Sequence, residues 1–351
     1  MKRCLRLLFF LLLRWTGLMM LYRFLHRKEI VILTIHGVMD GRYPSSWEPL
    51  RPFLARRKLA EYLGVLSRRY CFVSLMHATE MLQGCRPVQP YSMVLTFDDG
   101  YRNNVTHALP ILRQFGAPAI FFIPTGFLDH PRPFWFDRLD YAAQHARTEG
   151  QELKIGSVRT RLDCSSKETL RESFVGFIRA AQAQDLSDWE FLEEVEKLTV
   201  LLEERAGRSL LSIVAEDPWT AIVNWDEINA VISDDISVGS HTVDHMRLGA
   251  VDRSTAYDQL HRSKQSIEVR TGSCCRSICY PKGSFCEETV EVAEECGYTC
   301  GLTTIEGLNR AGDNPMTLRR IGIGVDWSAT ELLARVSGLS RALSHIVRGL
   351  S

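Results

Sequence analysis

Met93-Val94-Leu95-Thr96-Phe97-Asp98-Asp99-Gly100-Tyr101 is an apolar run that stops at two adjacent carboxylates and a glycine. A short apolar run bounded by turn residues is the pattern of a strand buried on both faces. Asp98 and Asp99 cannot continue it, because neighbouring side chains of a strand point to opposite faces. They belong at its C-terminal end, where α/β folds carry their active sites. There the two carboxylates diverge and take separate tasks, one holding a metal and the other accepting a proton from water. Standing alone, Asp-Asp-Gly is better read as a capped turn.

A second stretch, Gly239-Ser240-His241-Thr242-Val243-Asp244-His245, follows another β-rich run, Ile236-Ser237-Val238. Two histidines four residues apart turn both imidazoles toward one ion, and an aspartate as third ligand suits zinc. Three protein ligands leave a position open for water, the arrangement of a catalytic site rather than a structural one. By itself His-x-x-x-His is as readily two surface or core histidines. As a pair and in this order, Thr96-Phe97-Asp98-Asp99-Gly100 and His241-Thr242-Val243-Asp244-His245 resemble the polysaccharide deacetylases of the NodB-homology type, over about residues 30–325.

That resemblance implies a distorted (β/α)7-type barrel and metal-dependent removal of acetyl groups from sugars. It assigns Asp99, His241 and His245 to a divalent metal, with zinc expected. It makes Asp98 the general base and lets the backbone N–H of Tyr101 help hold the oxyanion. Members whose N-terminal strand ends in a histidine look circularly rearranged and use that histidine as general acid. His36, closing Glu29-Ile30-Val31-Ile32-Leu33-Thr34-Ile35-His36, takes that role. Many relatives place an arginine two residues before the proline of the strand-turn motif, where it orients the catalytic aspartate. This chain has Cys279 there, in Cys279-Tyr280-Pro281, and Arg320 is expected to supply the guanidinium instead. Tyr280, Pro281 and Trp327 are candidates for the acetyl or sugar pocket, with buried packing as the rival role. His345 ranks below His36 as the acid, because it falls in an amphipathic stretch spanning 329–350.

Around the motifs the chain alternates strands and helices, which indicates parallel βαβ units and an α/β fold. Helices are predicted at 52–70, 103–115 with a bend at Pro110, 225–231, 252–271 and 287–296. Gly297 is a natural stop for the last of these. The rhythm breaks between Asp129 and Trp219. Residues 130–220 are read as a largely helical insertion, opened by Phe134-Trp135-Phe136, that forms either a packing lid or the wall of a sugar or lipid groove.

Lys and Arg total 42 and so do Asp and Glu, so no global basic excess exists to release counterions from nucleic acid, and nucleic acid is excluded as the main partner. Ten cysteines include six between Cys274 and Cys300 but form no Cys-x-x-Cys pair. They are read as small buried apolar residues of a reducing compartment in preference to disulfides. Residues 1–28 form a separate segment before the barrel of 29–351. Arg14 interrupts its apolar run, so no charge-free stretch reaches the ~18 residues of a simple transmembrane helix. With Arg3, Arg6 and Arg14 on one side, the segment reads as a helix lying in a membrane interface. A cleaved signal peptide and a buried helix of the domain are its rivals.

The sequence therefore predicts an enzyme associated with the bacterial inner membrane. Its expected substrate is an N-acetylated glycan or a lipid-linked sugar. O-deacetylation, removal of another small acyl group, and a catalytically silent sugar-binding barrel remain as alternatives.

Overall fold

The computed structural model describes residues 9–10, 12–13, 15–40, 47–146, 151–155, 158–163, 166–182 and 188–339. Seven strands form its centre: β1 Val31–Ile35, β2 Ser92–Phe97, β3 Ala119–Ile123, β4 Ile236–Ser240, β5 Ser277–Cys279, β6 Cys300–Glu306 and β7 Leu318–Gly322. Around the ring they run β1-β7-β6-β5-β4-β3-β2, and β2 pairs back onto β1, closing a barrel in which every pairing is parallel. Closure explains the apolar runs. Strands enclosed by a barrel interior and by outer helices have no solvent face, and β1 and β2 are buried at every position. Phe97 and Phe121 stack across neighbouring strands at 5.1 Å. Each such ring contributes roughly 1.5–3 kcal/mol by leaving water.

Register carries the site residues to one end. Ile35 pairs with Phe97, Phe97 with Phe121, and Ile123 with Ser240. The residues that follow these positions, His36, Asp98 and His241, therefore emerge together at the C-terminal mouth.

The helices used below are α1 Leu18–Leu25, α2 Arg56–Leu66, α3 Trp135–Ala146, α4 Lys167–Gln182, α5 Asp188–Ala206, α6 Arg253–Thr271 and α7 Ala329–Val336. Several boundaries differ from the sequence expectation. Helix α2 starts at Arg56 rather than Pro52, because Leu54 and Ala55 pair with Val38 and Met39 as a short parallel ladder. The helix expected over 103–115 is a π-helical turn, Asn104–Ala108, followed by Leu109–Gln114. Pro110 sits in the first turn of the second piece, where a missing N–H costs nothing. Helix α7 ends at Val336 rather than near 350, and residues 340–351, His345 among them, lie outside the described residues.

The insertion holds α3, α4 and α5, and also an antiparallel hairpin, Gln151–Ile155 with Val158–Leu162, that the helical expectation missed. The alternation Val158-Arg159-Thr160-Arg161-Leu162 was its sequence signal. The three helices build a core of their own from Leu139, Leu170, Phe177, Val195 and Leu202.

At the N-terminus, Phe10 and Leu13 pack against Ala334 and Leu339. No helix among the described residues is long and apolar enough to cross a membrane. Arg3, Arg6 and Arg14 lie outside the described residues. The eight described cysteines are free. Cys275, Cys279, Cys296 and Cys300 are buried, but Cys71, Cys85, Cys274 and Cys286 are exposed, so the reading of them as buried apolar residues holds for half.

Candidate active site

Strand β2 delivers Asp98 and Asp99 to the mouth and then turns sharply. Asp99 has φ 72° and Gly100 φ 67°, both left-handed. Gly100 takes that conformation without steric cost, whereas Asp99 is strained by roughly 1 kcal/mol or more. The same signature recurs in the other motif, at Thr242 (φ 65°) and His245 (φ 57°). The surrounding structure enforces it. Gln259 of α6 accepts hydrogen bonds from the backbone N–H groups of Val243 and Asp244, and its side-chain amide donates to Asp244. Arg132 holds the other oxygen of Asp244 at 2.6 Å.

These turns bring the three expected ligands together. Asp99 Oδ1 lies 3.4 Å from His241 Nε2 and 3.4 Å from His245 Nε2. Ligand atoms of all three fall within 4.8 Å of one another. His241 Nδ1–H donates to the Cys279 carbonyl at 2.7 Å, which fixes the ring with Nε2 turned toward Asp99. His245 packs edge-on against Phe134, ring centres 5.0 Å apart. Burial alone would raise the Asp99 carboxyl, but hydrogen bonds with His241 and His245 and the field of His36 hold it well below the usual range. Two imidazole nitrogens and a carboxylate oxygen gathered around one point fit a divalent metal.

Asp98 turns away into the barrel interior and meets a different set of partners. Arg320 of β7 grips it with Nη1 at 2.9 Å from Oδ1 and Nη2 at 2.9 Å from Oδ2. The same guanidinium donates to the Thr303 carbonyl, to Thr96 Oγ1 and to Cys279 Sγ. Arg320 is only 3% exposed, which excludes a surface role. Cys279 is close enough to donate its thiol to Asp98 Oδ2, at 3.5 Å. Burial pushes the Asp98 carboxyl up, yet Arg320, helped by His36 and His241, outweighs it and leaves the carboxyl below its ordinary value. Asp98 is therefore ionised at neutral pH.

His36 Nε2 stands 3.9 Å from Asp98 Oδ2 with its side chain half exposed, at the edge of the cavity. Asp98 N–H donates to the Ile35 carbonyl, which locks the two strand ends together. Tyr101 sits opposite Ile222 in an antiparallel bridge whose two hydrogen bonds come from Arg102 and Val223, so its own N–H stays outside the ladder.

A cavity of about 530 Å³ opens over this centre, bordered by His36, Asp99, Arg51, Phe136 and the 322–326 segment. Arg51 was not foreseen. It pairs with buried Asp137 at 2.6 Å and lies over the rings of Phe53 and Tyr101, and the Tyr101 hydroxyl donates to the same Asp137. No spacing in the sequence marks Arg51 or Asp137, because they meet across 86 residues. Phe134-Trp135-Phe136 was marked. Phe136 lines this cavity and also a second one of about 690 Å³, which Trp135, Arg171, Phe174 and Lys282 border as well.

Three candidates fall elsewhere. Tyr280 is fully buried and stacks on Phe285, and buried Pro281 lies beside it; neither lines the two cavities described above. Trp327 packs on the barrel beneath Arg335, and its backbone carbonyl accepts from Tyr62. For Tyr280 the cause is direction: its side chain joins Leu260, Val292 and Phe285 in the layer packed outside the barrel.

A family model described as "Polysaccharide deacetylase" matches residues 86–301. This chain belongs to the polysaccharide deacetylase family. Among curated relatives it is 28% identical over 104 residues to YxkH of Bacillus subtilis (strain 168), provisionally named a polysaccharide deacetylase. It is 30% identical over 101 residues to the poly-β-1,6-N-acetyl-D-glucosamine N-deacetylase of Escherichia coli (strain K12). Those matches take in 30% and 29% of this chain but only 37% and 15% of the two relatives. The deacetylase barrel is also seen in the Streptococcus pyogenes deacetylase PplD in complex with acetate, with TM-score 0.57 and 17% identity over 88% of this chain and 98% of that one. IcaB from Ammonifex degensii gives TM-score 0.55 and 18% identity over 88% and 97%. The family match takes in Asp98, Asp99, His241 and His245 but stops short of His36 and Arg320 on either side.

Proposed function

We propose that this deacetylase-family protein hydrolyses the acetamide C–N bond of N-acetylated sugars in a glycan, with a divalent metal as cofactor. One observation carries the reading: adjacent carboxylates are committed to different neighbours, Asp99 to two imidazoles and Asp98 to a guanidinium and His36. Asp99, His241 and His245 would hold the ion, zinc by their donor chemistry, and it would supply Lewis-acid polarisation and a more acidic water.

The protein's own groups do the rest. Asp98, kept ionised and aimed by Arg320, takes the proton of the attacking water. The N–H of Tyr101 donates to the carbonyl oxygen as negative charge builds on it. His36, at the cavity mouth, protonates the departing amine. The products are acetate and an amino sugar. The E. coli relative, named for a poly-N-acetylglucosamine substrate, supports the N-acetyl reading over an O-acetyl one. A silent sugar-binding barrel is disfavoured, because binding alone gives no reason to bury an ionised Asp98 beneath Arg320. The proposal includes seating of the protein on a bacterial inner membrane through the N-terminal segment, which presents exposed apolar residues.

The test measures acetate release from an N-acetylglucosamine oligomer together with bound metal. Chelation is expected to stop release and zinc to restore it. Release that ignores the chelator, or release from O-acetylated sugars alone, would sink the reading.

A further inference from the structure

The N-terminal segment and the reaction cavity lie at opposite ends of the barrel. Every strand of the ring runs in the same direction, so contacts to strand starts and to strand ends define two poles. Helix α1 belongs to the pole of strand starts. The chain passes from it through Ile30 directly into β1. Arg23 donates to the carbonyl of Arg69 and lies over the ring of Tyr91, the residue before β2. Tyr91 N–H in turn donates to the Arg27 carbonyl. Helix α7 runs down from the mouth, and Ala334 near its far end and Leu339, three residues past it, receive Phe10 and Leu13.

The outward side of this segment is apolar. Leu12, Trp15, Met20, Leu21, Phe24 and Leu25 are exposed, Trp15 by 87% and Met20 by 70%. Residues 9–28 contain Arg14, Arg23, Arg27 and Lys28 and no Asp or Glu. Exposed aromatic and aliphatic side chains on a stretch with basic but no acidic residues complement an anionic lipid surface.

We infer that the protein docks on an anionic membrane through the N-terminal pole, holds its reaction cavity facing away from the bilayer, and so acts on an extended glycan rather than on a sugar at the lipid headgroup. This rests on the deacetylase reading and adds an orientation and a substrate class to it. Strands rise about 3.3 Å per residue and tilt in a barrel, so the mouth stands roughly 15 Å above the strand starts. The docking helix, ~10 Å across, adds to that distance. The second cavity supports the same substrate class independently. It adjoins the first through Arg51, Pro52 and Phe136, leaving room for neighbours of the sugar being cleaved.

The experiment uses the full chain and vesicles of phosphatidylcholine with or without phosphatidylglycerol. Binding is expected only with the anionic lipid, weakening as salt rises. Trp15→Ser with Phe24→Ser should abolish it while leaving turnover of a soluble oligomer unchanged. Absence of binding would overturn the docking. N-acetylglucosamine is then attached to the vesicle lipid either directly or through a spacer longer than the barrel. Vesicle-bound protein should release acetate from the spaced form at least about 100-fold faster, because a tether that cannot span the gap gives an effective concentration near zero. In detergent both forms should be cleaved alike. Equal cleavage of the two on vesicles would overturn the orientation. No acetate from the soluble oligomer, with no membrane present, would instead overturn the deacetylase reading and the inference with it.

Discussion

The barrel mouth and the helical insertion both contain ion pairs, but the pairs differ in kind. At the mouth, Asp98 and Arg320 are 2% and 3% exposed and every donor of the guanidinium has an acceptor. In the insertion, Arg138 bridges Glu196 and Glu203, and the Glu196 side chain is 56% exposed. Water weakens the Arg138–Glu196 arm to within about 1 kcal/mol, whereas opening the Asp98–Arg320 pair strands a buried charge at a cost of roughly 3–5 kcal/mol. The contrast separates two jobs. The barrel holds charges at set atoms, as proton transfer requires. The insertion packs its own small core and lends Phe136 and Trp135 as cavity walls, which suits the long substrate proposed above.

The sharpest way to break this division is Asp98→Asn. Turnover should fall by roughly 10²–10⁴-fold with bound metal unchanged. Metal loss on that substitution would exchange the roles of Asp98 and Asp99.

Arg320→Gln comes next. Turnover should fall by about 10–100-fold, and the pH profile should move. Arg320 holds the Asp98 carboxyl down, so its removal lets that pKa rise. The base must be ionised, so the acid limb of kcat should shift to higher pH. An unshifted limb would make Arg320 a packing residue only.

On the insertion side, Trp135→Ala should raise KM for a long oligomer by about tenfold with kcat unchanged, the pattern of lost uniform binding. A fall in kcat would place the insertion within the chemistry.

The smallest effect is on stability. Burial raises Asp140 to about 7, although Gln144 and the Leu50 N–H oppose it. Its folded value lies above the ordinary carboxylate value, so the folded chain keeps a proton that the unfolded chain loses above about pH 4. Stability from this group is therefore present in acid and lost as pH rises toward 7. Asp140→Asn should flatten thermal stability between pH 5 and pH 8, seen by calorimetry as a melting curve that moves less with pH. An unaltered pH slope would remove Asp140 as its source.

Much of this was written in local pattern. Apolar runs ending in Asp98-Asp99-Gly100 and in His241-x-x-x-His245 place the ligands at strand ends, because a buried strand cannot continue into charge. The same local signals missed the 151–162 hairpin, whose alternating residues lay inside a region read as helical. They also overextended α7 and α2, since amphipathic spacing does not mark where tertiary contacts cease.

The sequence by itself determined the strand ends, the ligand types and the apolar, basic N-terminus, because each follows from residues close together in the chain. The family resemblance named Arg320 and His36 as partners for Asp98, but only the tertiary structure decided how they meet it: Arg320 from β7 grips both carboxylate oxygens, Cys279 from β5 joins them, and His36 follows β1. Barrel closure sets that company, since the ring joins the first strand to both the second and the last. It likewise decided that the apolar helix and the catalytic mouth stand at opposite poles, which no local spacing encodes.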